Sequence, residues 1–250
     1  MLDAPAPSGY TPPAALQDVA AWPVPLQSLP DAGDPAQLIL LLHGWADHAL
    51  NFQPLADALR AQFPQAAILA PQSPLPADSA KRGGQWYSIT GIQEHSTWRE
   101  RVQATVPLIT RWVRLQQQRL GLGGAPTALG GFSQGAVLAM HSAVTTEGLC
   151  GRVLSFGARM VDHPPSVPHG TTFHLFHGGA DKVFAAEQVR ALLGHLSAIQ
   201  ADASLDVAEG VGHALHASLI QCAVQRLTNH IPLRTWQEAM GAAPRPARHD

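Results

Sequence analysis

Thr127-Ala128-Leu129-Gly130-Gly131-Phe132-Ser133-Gln134-Gly135-Ala136 passes from an apolar run, through a Gly-x-Ser-x-Gly core, into an alanine-rich helical pattern. Val137, Leu138, Ala139 and Met140 carry that pattern on. The five-residue core alone occurs by chance. Strand before it and helix after it give it meaning, because a sharp strand-to-helix turn holds a serine hydroxyl exposed above a sheet. The flanking glycines suit a place where a side chain would strike the neighbouring strand or helix. The helix beginning beyond Ser133 aims its free N–H groups and partial positive charge at any anion formed there. The Gln134 backbone N–H is the nearest of those donors.

Working outward, Gln37 to Leu42 is a short continuous apolar run, as in a strand buried on both faces. It leads into His43-Gly44-Trp45-Ala46-Asp47. Asn51 is placed to cap a helix reaching about Gln62, with Leu55, Leu59 and Phe63 on one face. Ala66 to Ala70 reads as the next strand. Val19 to Leu29 reads as an edge strand, since Pro23 and Pro25 bar it from a sheet centre. Residues 71 to 96 form a long irregular segment containing Trp86 and Tyr87, and loops of that length are usually functional. Thr97 to Leu120 predicts a long helix kinked near Pro107. Further strands are expected at 151–156, 171–176 and 204–208, with helices at 184–198 and from about Ala214 to Asn229. Strands alternating with helices predict an α/β fold with a mostly parallel sheet covered on both faces. No repeat or linker divides the chain. A single domain is expected over 16–241, between a loose Pro/Ala-rich segment at 1–15 and a disordered tail at 242–250.

Composition narrows the function classes. In 250 residues, 46 % are apolar and 14 % charged, enough for a sizeable core. A formal charge of −2 gives no pull toward nucleic acid or anionic lipid. Two cysteines, Cys150 and Cys222, make no disulfide framework and read as small apolar residues. Met1 to Pro30 holds seven prolines and no basic residue, unlike a secretory signal. No apolar run approaches the roughly 18 residues that span a bilayer. A cytoplasmic location without stable membrane insertion is the expectation, with monomer and homodimer both open.

In a parallel sheet, functional loops gather at the carboxyl ends of the strands. His43-Gly44-Trp45, Ser133, Asp181 and His213 all follow expected strand ends. A serine needs an adjacent imidazole as base, and the imidazole needs a carboxylate to fix its tautomer. Ser133, Asp181 and His213 occur in the chain order of α/β-hydrolases. Among 13 histidines a lone one means little. His213 sits in a glycine-flanked loop, whereas His216 lies about one turn into the expected helix and is the weaker base. His174 and His177 face opposite sides of a strand, which argues against a metal site. His177 is expected to shape the turn toward Asp181. Asp202 and Asp206 read as solvated carboxylates. Backbone N–H groups of the 43–47 loop, that of Trp45 first, can complete an oxyanion hole with Gln134. The Trp45 ring either lines a pocket or packs in the core, and Asp47 either braces its loop or is solvated. Trp86 and Tyr87 either line the substrate site or anchor their loop.

These segments together resemble the phospholipase/carboxylesterase family, which includes acyl-protein thioesterases. Leu41-Leu42-His43-Gly44-Trp45-Ala46-Asp47 resembles its Leu-His-Gly-x-Gly-Asp opening. Gly131-Phe132-Ser133-Gln134-Gly135 is similar to its nucleophile segment. His177-Gly178-Gly179-Ala180-Asp181 and Gly212-His213 resemble its acid and base segments. Gly84-Gln85-Trp86-Tyr87-Ser88 is similar to a segment of a bacterial esterase branch. The likeness runs from about 35 to 235. It implies an α/β-hydrolase fold without a large cap, hydrolysing carboxylic esters with no cofactor and no metal. By matching positions it implies Ser133, Asp181 and His213 as catalytic residues and the Trp45 and Gln134 amides as the oxyanion hole. Ala46 stands where the family usually has Gly, and Lys182 and Phe184 where it has Pro and Val. The expected activity is that of a serine carboxylesterase on small-molecule or acyl esters. An acyl-protein thioesterase or lysophospholipase would use the same site. A non-catalytic binding protein would not need all three residues, and Ser133 speaks against a cysteine-nucleophile hydrolase.

Overall fold

A computed structural model describes residues 9–235. Among them, seven strands form one sheet: β1 (Leu26–Ser28), β2 (Gln37–Leu42), β3 (Ala66–Ala70), β4 (Thr127–Phe132), β5 (Arg152–Phe156), β6 (Thr172–Gly178) and β7 (Asp202–Ala208). Their spatial order is β1-β3-β2-β4-β5-β6-β7. β1 pairs antiparallel with β3, and every other pairing is parallel. The helices are α1 (Ala14–Gln17), α2 (Gln53–Gln62), α3 (His95–Leu120), α4 (Gln134–Thr145), α5 (Ala186–Ala198) and α6 (Ala217–Asn229).

Side chains along a strand alternate between faces, so the leucine-rich β2 feeds two cores. Leu38, Leu40 and Leu42 join a cluster built with α3, α4 and α5, including Ile109, Trp112, Val137 and Leu192. Ile39 and Leu41 join a second cluster with α2 and α6, including Leu55, Leu59, Leu219 and Ile220. Gln37 at the strand start is exposed, while these five side chains, Leu38 to Leu42, are all buried. Each stabilises the fold by roughly 1.5–3 kcal/mol relative to exposure. The chain leaves β2 toward β3 on one side and later returns to β4 on the other. That reversal opens a crevice at the carboxyl ends of β2 and β4, where ligands bind in such sheets.

Several boundaries differ from those the sequence suggests. The N-terminal segment is ordered earlier than 16: Pro13 precedes α1, and Leu16 is fully buried. Residues 1–8 and the expected tail at 242–250 lie outside the described residues. The edge strand shrinks to β1, after a 3-10 turn at Val19–Ala21 and the two prolines. Asn51 caps nothing; its amide donates to Asp47, and a 3-10 turn capped by His48 precedes α2. α3 begins at His95, two residues before the expected Thr97, with Pro107 inside it. α6 starts three residues later than expected, so His216 is its N-cap and accepts from the Ser218 N–H at 3.2 Å. Asp206 and Asp202 are partnered, not simply solvated. Asp206 takes two bonds from Arg226, at 2.8 and 2.9 Å. Asp202 accepts from the Thr172 hydroxyl at 2.6 Å and meets His230 at 3.0 Å. No helix among the described residues is long and apolar enough to cross a membrane.

Candidate active site

The turn after β4 is forced by close approach of backbones. A Cβ on Gly135 would lie 2.0 Å from the Leu42 carbonyl oxygen, and one on Gly131 would lie 2.5 Å from the Gly135 carbonyl carbon. Only glycine admits the first turn of α4 so near β2. Between them Ser133 has φ 51° and ψ −116°. A non-glycine residue adopts that conformation only where its surroundings over-determine it. The Ser133 N–H donates to the Phe156 carbonyl at 2.9 Å, and its own carbonyl accepts from Val137 at 3.0 Å. The hydroxyl is thereby fixed at the N-terminus of α4.

His213 follows β7 in the Gly210–Gly212 loop. Its Nε2 lies 2.9 Å from Ser133 Oγ, and its Nδ1 lies 2.7 Å from Asp181 Oδ2. The Asp181 side chain is wholly buried. Its other oxygen accepts the N–H groups of Val183 at 2.7 Å and Phe184 at 3.0 Å. The structure therefore brings together the three residues that the sequence singles out. His177 sits beside Asp181, its Nε2 3.7 Å from Oδ2, and its Nε2–H donates to the Phe184 carbonyl at 2.8 Å, which shapes the loop carrying Asp181. His216 makes no contact with Ser133 or Asp181, in keeping with its place as a cap.

The loop after β2 is built by buried hydrogen bonds. His43 is fully buried. Its Nε2 accepts from the Ser73 N–H at 3.0 Å, so Nδ1 carries the proton and donates to the Gly44 carbonyl at 2.7 Å. Burial pushes its pKa down to about 4, which keeps the ring neutral. Asp47 braces the loop, accepting from the Gly44 and His48 N–H groups and from Asn51. Ala46 takes a left-handed φ of 54°, the conformation a glycine would adopt freely. Among the described residues the backbone N–H groups of Trp45 and Gln134 have no protein partner. Both residues line the cavity that holds Ser133.

Of the two places expected for Trp86, the structure gives the anchor and not the wall. Trp86 is fully buried and absent from the cavity wall, so it does not line the substrate site. Its indole donates to the His43 carbonyl at 2.9 Å and packs on the His43 ring. It anchors the 43–47 loop. Tyr87 does reach the cavity, with its hydroxyl accepting from Trp98 at 3.1 Å. The Gln134 side chain has a role that the sequence did not signal. Its Oε1 accepts from the Trp86 N–H at 2.7 Å, and its Nε2 donates to the Tyr87 carbonyl at 2.8 Å. One residue thus presents its main-chain amide to the cavity and fastens the 71–96 loop with its side chain.

The cavity is about 620 Å³. Ile89, Ile92, Trp98, Val137, Val183 and Phe184 make it largely apolar. The Trp45 ring is part of this wall, with its indole N–H buried and without a partner. Ile92, Trp98 and Phe184 come from the irregular segment, a helix start and the loop after Asp181, and no periodicity marks them in the sequence. A smaller cavity of about 360 Å³ opens on the other side of His213, between Asp47, Phe52 and Leu215.

Comparison with known proteins agrees with this architecture. The model of the phospholipase/carboxylesterase family matches residues 30–231. A protein named esterase YpfH, from Escherichia coli, is 34% identical over 204 residues, covering 82% of this chain and 87% of its own. Acyl-protein thioesterase 1 of Eremothecium gossypii is 24% identical, over 83% of this chain and 91% of its own. Among solved structures, esterase PE8 superposes with a TM-score of 0.75 at 23% identity, covering 82% of this chain and 98% of that one. The fold is that of an α/β-hydrolase. The chain belongs to the phospholipase/carboxylesterase family and is a carboxylic ester hydrolase.

Proposed function

We propose that the protein is a serine carboxylesterase working through Ser133, His213 and Asp181. The observation that carries this reading is the unbroken relay from Asp181 Oδ2 through His213 to Ser133 Oγ, at 2.7 and 2.9 Å. Asp181 holds the imidazole with its proton on Nδ1, leaving Nε2 to take the serine proton. The Ser133 Oγ attacks the ester carbonyl. The Trp45 and Gln134 N–H groups, with the α4 dipole behind them, receive the negative charge that develops on the carbonyl oxygen. His213 returns the proton to the departing alcohol, and the acyl group is left on Ser133. Water, deprotonated by His213, then attacks the acyl-enzyme and releases the acid. The acyl arm occupies the larger, apolar cavity, because that cavity contains Ser133 and both amides. The alcohol leaves past His213 through the smaller one.

A thioester would follow the same steps, and the thioesterase name of one relative favours that second reading. The test is hydrolysis of p-nitrophenyl esters from acetate to palmitate, beside matched thioesters. Ser133→Ala should lower kcat by roughly 10³ to 10⁶ on both. Activity retained in that variant would remove Ser133 from the mechanism, while thioesters turned over much faster than esters would favour the second reading.

A further inference from the structure

Apart from the reacting groups, the wall of the larger cavity carries one charged side chain, Arg159, and no acidic one. Such a charge in an apolar cleft calls for a reason, because desolvating a guanidinium is costly unless it is paired. Here burial lowers its pKa. Arg159 makes no ion pair among the described residues. Its Nη1 donates to the Met160 carbonyl at 2.9 Å, its Nε is buried without a partner, and no protein partner takes its Nη2. The carboxylate that follows it in sequence is already engaged. Asp162 takes two bonds from Arg99, each at 2.7 Å, and meets His95 at 2.9 Å.

The guanidinium is also held in place. It lies 4.6 Å from the Trp98 ring centre and 6.0 Å from that of Phe184, stacking that leaves its edge free to donate. Its loop is fastened just beyond it: the Val161 N–H donates to His141 at 3.0 Å, and Asp162 is clamped as described. The Phe184 ring neighbours both Arg159 and His213, with 6.1 Å between the Phe184 and His213 ring centres. The guanidinium carbon is therefore no more than about 12 Å from the imidazole.

We propose that Arg159 selects esters whose acyl chain ends in a carboxylate, that is, half-esters of dicarboxylic acids. This rests on Ser133 being the nucleophile. The ester carbonyl sits at Ser133, the methylene chain crosses the aromatic and isoleucine wall, and the terminal carboxylate meets the free edge of the guanidinium. A charge-assisted pair in a partly desolvated cleft is stronger than one in open water.

The experiment compares p-nitrophenyl hemiesters of succinic to suberic acid with p-nitrophenyl alkanoates of equal chain length, following p-nitrophenolate. Wild type should favour the carboxylate at one chain length by about tenfold or more in kcat/KM, and 0.5 M NaCl should shrink that ratio. Arg159→Gln should bring the ratio to about one, and Arg159→Lys should restore part of it. A wild-type ratio near one at every length would overturn the proposal, whatever the variants do. So would a high ratio that survives Arg159→Gln. Ser133→Ala run alongside separates the two claims: hydrolysis persisting there would sink the nucleophile assignment, whereas hydrolysis lost there with no charge preference in wild type sinks only the role of Arg159.

Discussion

At the scale of single residues, Gln134 links fold to chemistry. Its side chain bonds the Trp86 N–H and the Tyr87 carbonyl, both buried. Truncation to alanine would leave two buried polar groups unpaired, each costing about 1–3 kcal/mol. Gln134→Ala should therefore lose about 2–6 kcal/mol in urea unfolding. Its kcat should also fall, although the main-chain amide remains, because the 43–47 loop proposed to form the oxyanion hole rests on Trp86 through the His43 carbonyl. A loss under about 0.5 kcal/mol would mean that water replaces the amide without penalty. The sequence made the Gln134 amide legible through its position after the serine. It gave no sign of the side-chain role, whose partners lie 48 and 47 residues away in an irregular segment. The place of Trp86 is not legible in the sequence for a related reason. An aromatic in a long loop reads equally as wall or anchor until its burial is known.

At the scale of elements, the contact of α4 with β2 decides whether the serine turn forms. Gly135→Ala would drive a Cβ to 2.0 Å from the Leu42 carbonyl oxygen, backbone that cannot swing aside. That variant should be insoluble or strongly destabilised. Gly194 gives the contrast: it lies inside α5, exposed, with nothing within 4 Å of an added Cβ. Gly194→Ala should stabilise by about 0.4–1 kcal/mol, from helix propensity and a less flexible unfolded chain. Equal effects of the two substitutions on the melting temperature would contradict this account of the packing. The strands were the most legible elements. β2 and β3 fall where their continuous apolar runs end, because burial on both faces leaves no polar residue to blur the boundary. Helix starts were less so. Local hydrogen bonding moved them, as at His48 before α2 and His216 before α6.

For the whole molecule, three buried histidines set a common response to acid. Burial is the leading cause in each, lowering His43 and His141 to about 4 and His174 to about 3. They belong to different parts of the fold: the loop after β2, helix α4 and strand β6. All three are neutral when folded, while an unfolded histidine takes up a proton near pH 6.5. The unfolded chain then binds more protons, so stability rises with pH through this window. The contribution is complete above about pH 6.5, falls as the pH drops, and levels off below about 4 and 3. Each group adds a slope approaching about 1.4 kcal/mol per pH unit inside its window. Urea unfolding at pH 7, 5.5 and 4.5 should show a steep loss. His141→Gln, which keeps an acceptor for the Val161 N–H, should make the loss shallower by about one proton. A stability flat from pH 7 to 4.5 would show that these rings are not buried neutral.

If Ser133 forms the acyl-enzyme, covalent capture of that residue will show it. The protein is incubated with a fluorophosphonate, digested, and the modified peptide located by mass spectrometry. A single adduct on Ser133 is expected, forming much more slowly in His213→Ala. An adduct on another residue, or none while the protein still hydrolyses esters, would contradict it.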